Sequence, residues 1–159
     1  MKPHPITPDL IPALYQLNQE HELELSSLTL DAFTTLIDTA TYARSFGDGG
    51  MLLSFDQDAD YHSVNIEWFR ARYARFIYVD RIVVSPTYRG EGLARLFYED
   101  LMQWALSKGH KRIVAEFNSD PLNVISEAFH NRMGFAPLGE AVLEGRGKSV
   151  RYVERSLAP

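Results

Sequence analysis

The 159-residue sequence contains no cysteine. A chain without cysteine has no disulfide framework, no thiolate metal site and no cysteine nucleophile, and no other motif in it points to a metal. It also lacks the roughly 20 consecutive apolar residues of a membrane span and the basic-then-apolar N-terminal segment of a secreted protein. These absences predict a cytoplasmic protein that has neither a metal cofactor nor a membrane partner.

Two widespread nucleotide-binding motifs are missing as well. The sequence has no Gly-Lys-Ser/Thr P-loop and no Gly-x-Gly-x-x-Gly followed by an acidic residue at the end of the next strand. The formal net charge of -5 argues against a nucleic-acid partner and is compatible with a cationic substrate. Because the chain has 45% apolar residues and no repeat, low-complexity tract or linker, we expect a single domain over residues 1–159.

The pattern of apolar residues predicts two N-terminal helices, the first capped by Asp9 and the second beginning at Thr29, and then a β-hairpin around residues 47–50. Residues 56–72 resemble a polar insertion with one short helix. A strand over 75–85 stops at a proline and leads through a glycine-containing turn into a helix over 90–107, so part of the sheet is parallel. The remaining predictions are a strand over 111–117, a helix over 123–133 and strands over 136–143 and 150–156.

Residues 89–94, with the sequence Arg-Gly-Glu-Gly-Leu-Ala, join that strand to that helix. Gly90 and Gly92 allow the backbone to come close to a ligand, and the free N–H groups of the first helical turn favour a negative charge. Arg89 can add a charge-assisted contact. The turn is therefore suited to a pyrophosphate, although the same pattern begins many helices that bind nothing.

Two motifs resemble signatures of the GNAT acyltransferase superfamily. The sequence Val-x-Pro-x-x-Arg-x-x-Gly-x-Ala at 84–94 is similar to its acetyl-CoA signature, and Asn-Val-Ile-Ser-Glu-Ala-Phe-His-Asn-Arg-Met-Gly-Phe at 123–135 is similar to its Asn-containing helix and aromatic-x-x-x-Gly-Phe motif. The second motif indicates a subgroup with Phe-His-x-x-x-Gly-Phe in place of Tyr-x-x-x-Gly-Phe. The resemblance, strong over residues 75–135, implies acetyl-CoA as cofactor and a mixed α/β (α+β) fold. Its sheet would be splayed and mostly antiparallel, with six to seven strands flanked by about four helices.

The resemblance also implies which residues bind the cofactor. A strand edge would hold the pantetheine and a backbone N–H near Val83 or Val84 would polarise the thioester carbonyl, while the glycine loop would hold the pyrophosphate. The implied cofactor residues are Ile82, Val83, Val84, Arg89, Gly90, Glu91, Gly92, Leu93, Ala94, Asn118, Asn123, Ser126 and His130.

Acetyl transfer to an amine requires a base, because a lysine-like ammonium has a pKa near ~10.4. Glu116 resembles the glutamate that some family members use, and can equally be an exposed strand carboxylate. Asp80 is the second candidate, since period-two alternation places it on the same strand face as Tyr78, Ile82 and Val84. It can instead pair with a neighbouring arginine. The sequence leaves the base open between Glu116 and Asp80.

The acid is predicted at His130, where the family usually has a tyrosine. Imidazole, with a pKa near ~6.5, can protonate a thiolate whose conjugate acid lies near ~8.5. Helical spacing places His130 with Ser126 on a polar face, opposite Ile125 and Phe129. A structural histidine is the alternative.

The acceptor pocket is predicted to come from the two N-terminal helices, the insertion and the central strand. Aromatic rings beside carboxylates suit a cationic amine. The sequence therefore predicts an N-acetyltransferase that moves an acetyl group from acetyl-CoA to a primary amine of a small molecule, amino acid or peptide, and it is compatible with a homodimer. A catalytically silent acyl-CoA-binding regulatory module is the alternative. The candidate acceptor residues are Asn18, Glu20, His21, Glu22, Tyr61, Asn65, Trp68, Phe69, Tyr73 and Tyr78.

Overall fold

The computed structural model describes residues 1–21, 25 and 27–157, so the predicted contact of Glu22 lies outside the described residues. The strands are β1 (His4–Pro5), β2 (Tyr42–Ser45), β3 (Gly50–Asp56), β4 (Ile77–Val84), β5 (Arg112–Asp120), β6 (Ala136–Leu143) and β7 (Lys148–Ser156). The α-helices are α1 (Ile11–Glu20), α2 (Leu30–Thr39), α3 (Val64–Arg70), α4 (Leu93–Ser107) and α5 (Val124–Arg132), with 3-10 turns at Pro8–Leu10 and Pro86–Tyr88.

The seven strands form one sheet in the order β1-β2-β3-β4-β5-β7-β6. Every neighbouring pair is antiparallel except β4 and β5, which are parallel. The predicted mixed α/β fold with a mostly antiparallel sheet is confirmed, with five α-helices in the described chain where about four were expected. Each of these helices is too short or too polar to span a bilayer.

Side-chain caps explain where three of the helices begin. Thr29 accepts a hydrogen bond from the Ala32 N–H at the start of α2, and Ser63 caps α3 in the same way. The Asn123 side chain caps α5. The predicted cap at Asp9 is wrong, because a 3-10 turn precedes α1 and no side chain of the described residues caps that helix.

Two sets of helices cover the two faces of the sheet. One face packs against α4 and α5, with Phe97 and Phe135 in its buried cluster. The other face packs against α1, α2 and α3, with Phe33 and Phe69 in its buried clusters. Since successive side chains of a strand alternate between the faces, neighbouring residues of β4 or β5 contribute to different environments.

The parallel pair β4 and β5 separates soon after it begins. Its register contains only Ile77 opposite Ile113 and Tyr78 opposite Val114. Beyond that point β4 stays paired with β3 as far as Val84, and β5 stays paired with β7. The edge of β4 that faces β5 therefore has no strand partner after Tyr78 within the described chain. The predicted opening between two diverging parallel strands is present.

A β-bulge in β4 changes which face its side chains occupy. Leu53 of β3 lies opposite Arg81 and the next residue, Ser54, lies opposite Val79, so Asp80 is the extra residue. As a result Tyr78 belongs to the buried cluster against α3, whereas Ile82 packs against the cluster on the α4 face. The prediction that Tyr78, Asp80, Ile82 and Val84 share one face is wrong, because a single inserted residue reverses the alternation.

Candidate active site

A cleft of about 730 Å³ occupies the opening between β4 and β5. It extends from the start of α4 and from α5, on one face of the sheet, to Glu116 and the end of the β6–β7 hairpin on the other. Predicted cofactor and acceptor residues therefore line one continuous space. Those that line it are His21, Tyr61, Asn65, Tyr78, Asp80, Ile82, Val83, Val84, Arg89, Ala94, Glu116, Asn118, Asn123, Ser126 and His130.

The glycine loop has the backbone geometry that a phosphate site needs. Gly90 and Gly92 have φ values of 87° and 74°, in the left-handed region that favours glycine. A Cβ at either position would meet no atom within 4 Å, so conformation and not crowding requires glycine here. No described side chain caps α4, which leaves its first N–H groups free for an anion.

Other residues of the predicted cofactor site have more limited roles. The Leu93 side chain is buried, so only the backbone of Leu93 can contact a cofactor. The Glu91 side chain is exposed. The Arg89 guanidinium lies 3.0 Å from the Nε2 atom of His21, at the end of α1. Asn123 caps α5 with its side-chain oxygen. Together, the unpaired edge of β4 and the uncapped start of α4 fit an extended chain that ends in a pyrophosphate.

Glu116 lies at the centre of a hydrogen-bond network on the α3 face of the sheet. Its Oε1 atom accepts hydrogen bonds from the Tyr78 hydroxyl and from the Asn65 amide, both at 2.7 Å. The Tyr152 hydroxyl in turn donates to the Asn65 oxygen at 2.8 Å. Tyr78 and Asn65, predicted to bind substrate, thus hold a carboxylate in place. Tyr152 was not predicted, because only the strand register brings it beside Glu116.

The other oxygen of Glu116 is free. Oε2 is buried and has no hydrogen-bond partner among the described residues, although the residue as a whole keeps some exposed surface. Burial raises the pKa of Glu116 from 4.5 to about 8, and the nearby charge of Asp80 acts in the same direction. The hydrogen bonds from Tyr78 and Asn65 oppose this shift. The result is a carboxyl group that titrates near neutral pH and has one oxygen available.

Asp80, by contrast, has both oxygens engaged. Oδ1 accepts from the Tyr61 hydroxyl at 2.5 Å, and Oδ2 accepts from the Arg81 Nε at 2.7 Å. The side chains of Asp80 and Arg81 are only 6% and 5% exposed, so their charges compensate each other in a buried pair. Asn18, predicted to contact the acceptor, is fully buried and accepts a hydrogen bond from Arg81 at 2.8 Å. It supports the ion pair from outside the cleft.

His130 is buried, with 4% of its surface exposed. Its Nδ1 atom lies 2.7 Å from the Ser126 carbonyl oxygen, which can only accept, so Nδ1 carries the proton. The Nε2 atom therefore accepts from the Tyr98 hydroxyl at 3.2 Å. Burial lowers the pKa of His130, which favours the neutral ring. The predicted polar face of α5 is wrong, since His130 is buried whereas Ile125 is 81% exposed.

The remaining predicted acceptor residues lie away from the cleft. The Trp68 ring stacks on Tyr152 with centroids 4.0 Å apart, and the Arg72 guanidinium covers the ring at 3.4 Å. Phe69 is in the core, and Tyr73 packs beneath the Arg112 guanidinium. Glu20 is exposed at the end of α1. Trp68 therefore lies behind the site, in contact with Tyr152 and Phe69.

Solved structures with this fold are similar to the chain at low identity. The structure of yncA from Salmonella typhimurium with its cofactor acetyl-CoA is 16% identical, with a TM-score of 0.72, and the match covers 100% of this chain and 95% of that one. Arabidopsis thaliana NAA60 in complex with a bisubstrate analogue is 13% identical, with a TM-score of 0.72 and coverage of 97% and 96%. The NatC complex bound to Gag peptide and CoA is 14% identical, with a TM-score of 0.72 and coverage of 99% and 100%.

No curated protein sequence matches the chain. At 13–16% identity the structural similarities show the fold alone. The model of a sequence family is more informative. The model described as the acetyltransferase (GNAT) family matches residues 49–135, which include the bulged strand, the glycine loop and α5. Since this match spans more than half of the sequence, the chain belongs to the acetyltransferase (GNAT) family, whose acyl donor is acetyl-CoA.

Proposed function

We propose that residues 1–159 act as one N-acetyltransferase domain, with Glu116 as the base that accepts the proton of a primary amine. The observation that carries this proposal is the buried Oε2 atom of Glu116, which has no hydrogen-bond partner among the described residues. Glu116 lines the same cleft as Arg89 and Ala94, the two ends of the glycine loop. A base needs an unoccupied lone pair within reach of its substrate. Asp80 is the weaker candidate because both of its oxygens accept hydrogen bonds and Arg81 compensates its charge.

The pKa of Glu116 favours one class of amine. An α-amino group has a pKa of roughly 7.7–8.0, against ~10.4 for a lysine side chain. A carboxylate whose pKa is about 8 takes a proton from an α-ammonium at almost no free-energy cost. We therefore propose that the acceptor is the α-amine of an amino acid or of a peptide N-terminus.

Part of the wall of the cleft on the Glu116 side is apolar. Leu36, Leu143 and Val150 line it on the face where Glu116 and Tyr78 lie, and all three belong to the cluster that packs against α3. Arg146 and Lys148 of the β6–β7 hairpin also line the cleft. We propose that the first residue of the acceptor has an apolar side chain, and that these two cations contact a carboxylate farther along it. The NatC complex, whose structure contains a bound peptide, supports a peptide as acceptor but does not bear on its first residue.

Bound acetyl-CoA supplies a thioester carbonyl and a thiol leaving group. The start of α4 and Arg89 would bind its pyrophosphate, and the unpaired edge of β4 would bind its pantetheine arm through backbone groups. A backbone N–H near Val83 or Val84 would polarise the carbonyl. Glu116 then takes the amine proton through Oε2, while Tyr78 and Asn65 hold the carboxylate through Oε1.

The test is a thiol-release assay with acetyl-CoA and a panel of acceptors, combined with calorimetry of acetyl-CoA binding. Peptides with an apolar first residue should react faster than the same peptides with an acidic first residue, and peptides with a blocked N-terminus should not react. Glu116→Gln should lose activity, whereas Glu99→Gln, on the exposed side of α4, should retain it. Tight binding of acetyl-CoA without turnover on any amine would favour the regulatory module.

A further inference from the structure

The Tyr98–His130 pair is the feature of the cleft that the base and the glycine loop do not explain. Tyr98, on α4, is fully buried, and both residues line the cleft. Both ring nitrogens of His130 are engaged, Nδ1 by the Ser126 carbonyl and Nε2 by the Tyr98 hydroxyl. A proton that leaves His130 through Nε2 must therefore pass through the Tyr98 hydroxyl.

We propose that His130 and Tyr98 form a two-residue proton relay to the leaving thiolate, in which the Tyr98 hydroxyl is the catalytic residue that touches the sulfur. His130 is the positioning residue behind it and supplies the proton. The inference rests on the proposed function, because it assigns the acid of the same reaction.

In the relay, two protons each move across one hydrogen bond, from His130 Nε2 to the Tyr98 oxygen and from the Tyr98 oxygen to the sulfur. After the amine nitrogen has bonded to the acyl carbon, the bond between that carbon and sulfur breaks, and the sulfur takes the electron pair and then the hydroxyl proton of Tyr98. The Tyr98 oxygen receives the Nε2 proton of the His130 imidazolium in the same step. The products are the free thiol, a neutral tyrosine and a neutral imidazole that carries its proton on Nδ1, which is the hydrogen-bonded arrangement in the structure. The ligand-free protein then holds a neutral His130, and the next proton reaches Nε2 from the cleft through the Tyr98 hydroxyl once a new acetyl-CoA has bound.

Neither residue is sufficient alone. Burial, together with the charge of Glu116, raises the pKa of Tyr98 above its ordinary value of 10, whereas a thiol titrates near ~8.5. A lone tyrosine would have to end the step as a buried phenolate, which is unfavourable. Burial lowers the pKa of His130, so its imidazolium gives up a proton readily. The negative charge that develops on the sulfur favours the imidazolium while the step proceeds.

Packing holds the pair in this geometry. The His130 ring contacts Phe117, Phe129 and Phe135, with centroids 5.7, 5.6 and 5.0 Å away. A ring that is enclosed on several sides cannot turn Nε2 toward the cleft without displacing these neighbours. The family usually has a tyrosine at the position of His130. In this chain Tyr98, on the neighbouring helix α4, supplies a hydroxyl group instead.

The kinetic test is a double-mutant cycle on the single-turnover rate of thiol release. Tyr98→Phe and His130→Phe should each lower that rate by about 100-fold, the lower end for general acid catalysis. Since the residues act in series, the double variant should be no slower than either single variant, whereas independent effects would multiply to about 10,000-fold. Tyr42→Phe is the matched control, because it removes a buried hydroxyl that donates to Asp100 outside the cleft, and its rate should equal that of the wild type.

The second readout needs no turnover. In ¹⁵N-histidine NMR of the ligand-free protein, His130 should show a protonated Nδ1 and an unprotonated Nε2. Addition of CoA should shift the Nε2 resonance in the wild type, and desulfo-CoA, which lacks the thiol, should not. The CoA-specific shift should vanish in Tyr98→Phe, a substitution that keeps the ring and therefore the packing.

The outcomes separate the relay from the function. If the wild type acetylates amines and Tyr98→Phe keeps its rate, or if CoA and desulfo-CoA shift Nε2 equally, the relay is wrong and the proposed function stands. Multiplicative effects in the double variant would also contradict a series arrangement. If the wild type binds acetyl-CoA but turns over no amine, the proposed function fails and the relay fails with it.

Discussion

The substitution Glu116→Gln should change stability and activity in opposite directions. A buried acid with a raised pKa binds its proton more tightly in the folded state than in the unfolded state. Between about pH 4.5 and pH 8 the folded protein therefore holds one more proton than the unfolded protein. Because of this proton on Glu116, the free energy of unfolding falls as the pH rises. The free energy of unfolding falls by about 1.4 kcal/mol per pH unit, and the total loss is at most about 5 kcal/mol above pH 8.

Glutamine keeps the size and shape of the side chain. Its oxygen can take the place of Oε1 and accept from Tyr78 and Asn65. Its amide nitrogen then occupies the position of Oε2, which has no hydrogen-bond partner among the described residues, so one unpaired buried polar group replaces another. We expect Glu116→Gln to unfold like the wild type at pH 5 and to be more stable by several kcal/mol at pH 9. At pH 9, where the wild-type Glu116 is ionised and can act as the base, kcat/KM for a peptide amine should be about 100-fold lower in Glu116→Gln than in the wild type.

Urea unfolding at pH 5, 7 and 9 measures the stability difference, and the thiol-release assay measures the activity. Glu99→Gln, an exposed carboxylate on α4, is the control and should show no pH-dependent difference in unfolding. If Glu116→Gln gains no stability between pH 5 and pH 9, the raised pKa of this carboxyl group is wrong. If the variant keeps wild-type kcat/KM, Glu116 is not the base, whatever its stability shows.

Three further outcomes follow from the same contacts. Asp80→Asn should keep kcat within a few-fold of the wild type in the thiol-release assay, because both carboxylate oxygens already accept hydrogen bonds; a loss as large as that of Glu116→Gln would make Asp80 the base. Asn65→Ala removes a hydrogen bond that lowers the pKa of Glu116, so the rising limb of the pH–rate profile should move to higher pH, and a shift to lower pH would contradict this reading. Gly92→Ala should weaken acetyl-CoA binding in calorimetry and cost about 1–2 kcal/mol of stability in urea unfolding, whereas Gly47→Ala, which also has a positive φ but lies in another turn, should cost stability alone.

The parts of the fold that the sequence predicts well are those that local chemistry determines. A proline after a β-branched run, two glycines and an amphipathic stripe predict the glycine loop without knowledge of the rest of the chain. Thr29, where the second helix was expected to begin, is the residue that caps it, also through local chemistry. Asp9 does not cap the first helix, since Pro8 begins a 3-10 turn that delays the α-helix to Ile11.

The parts that the sequence does not predict depend on residues far apart in the chain. Asp80 is a bulge only because β3 pairs with β4 in one register, and no residue type near position 80 marks the inserted residue. Tyr98 meets His130 because α4 and α5 pack on the same face of the sheet, 32 residues apart in sequence. Helical periodicity alone predicts that His130 lies on a polar face of its helix. In the folded chain, packing between the helices and the sheet buries it in the core.

The alternation of side chains along β5 places the two groups proposed to move protons on opposite faces of the sheet. Glu116 and Phe117 are consecutive in β5, so Glu116 faces the acceptor side of the sheet while Phe117 packs against His130 on the other side. In the proposed reaction, the group that accepts a proton and the group that gives one thus lie in different parts of one cleft, on either side of the strand. Substitutions that reshape the acceptor wall at Leu36 or Val150 can therefore change specificity while the acid on the opposite face stays intact.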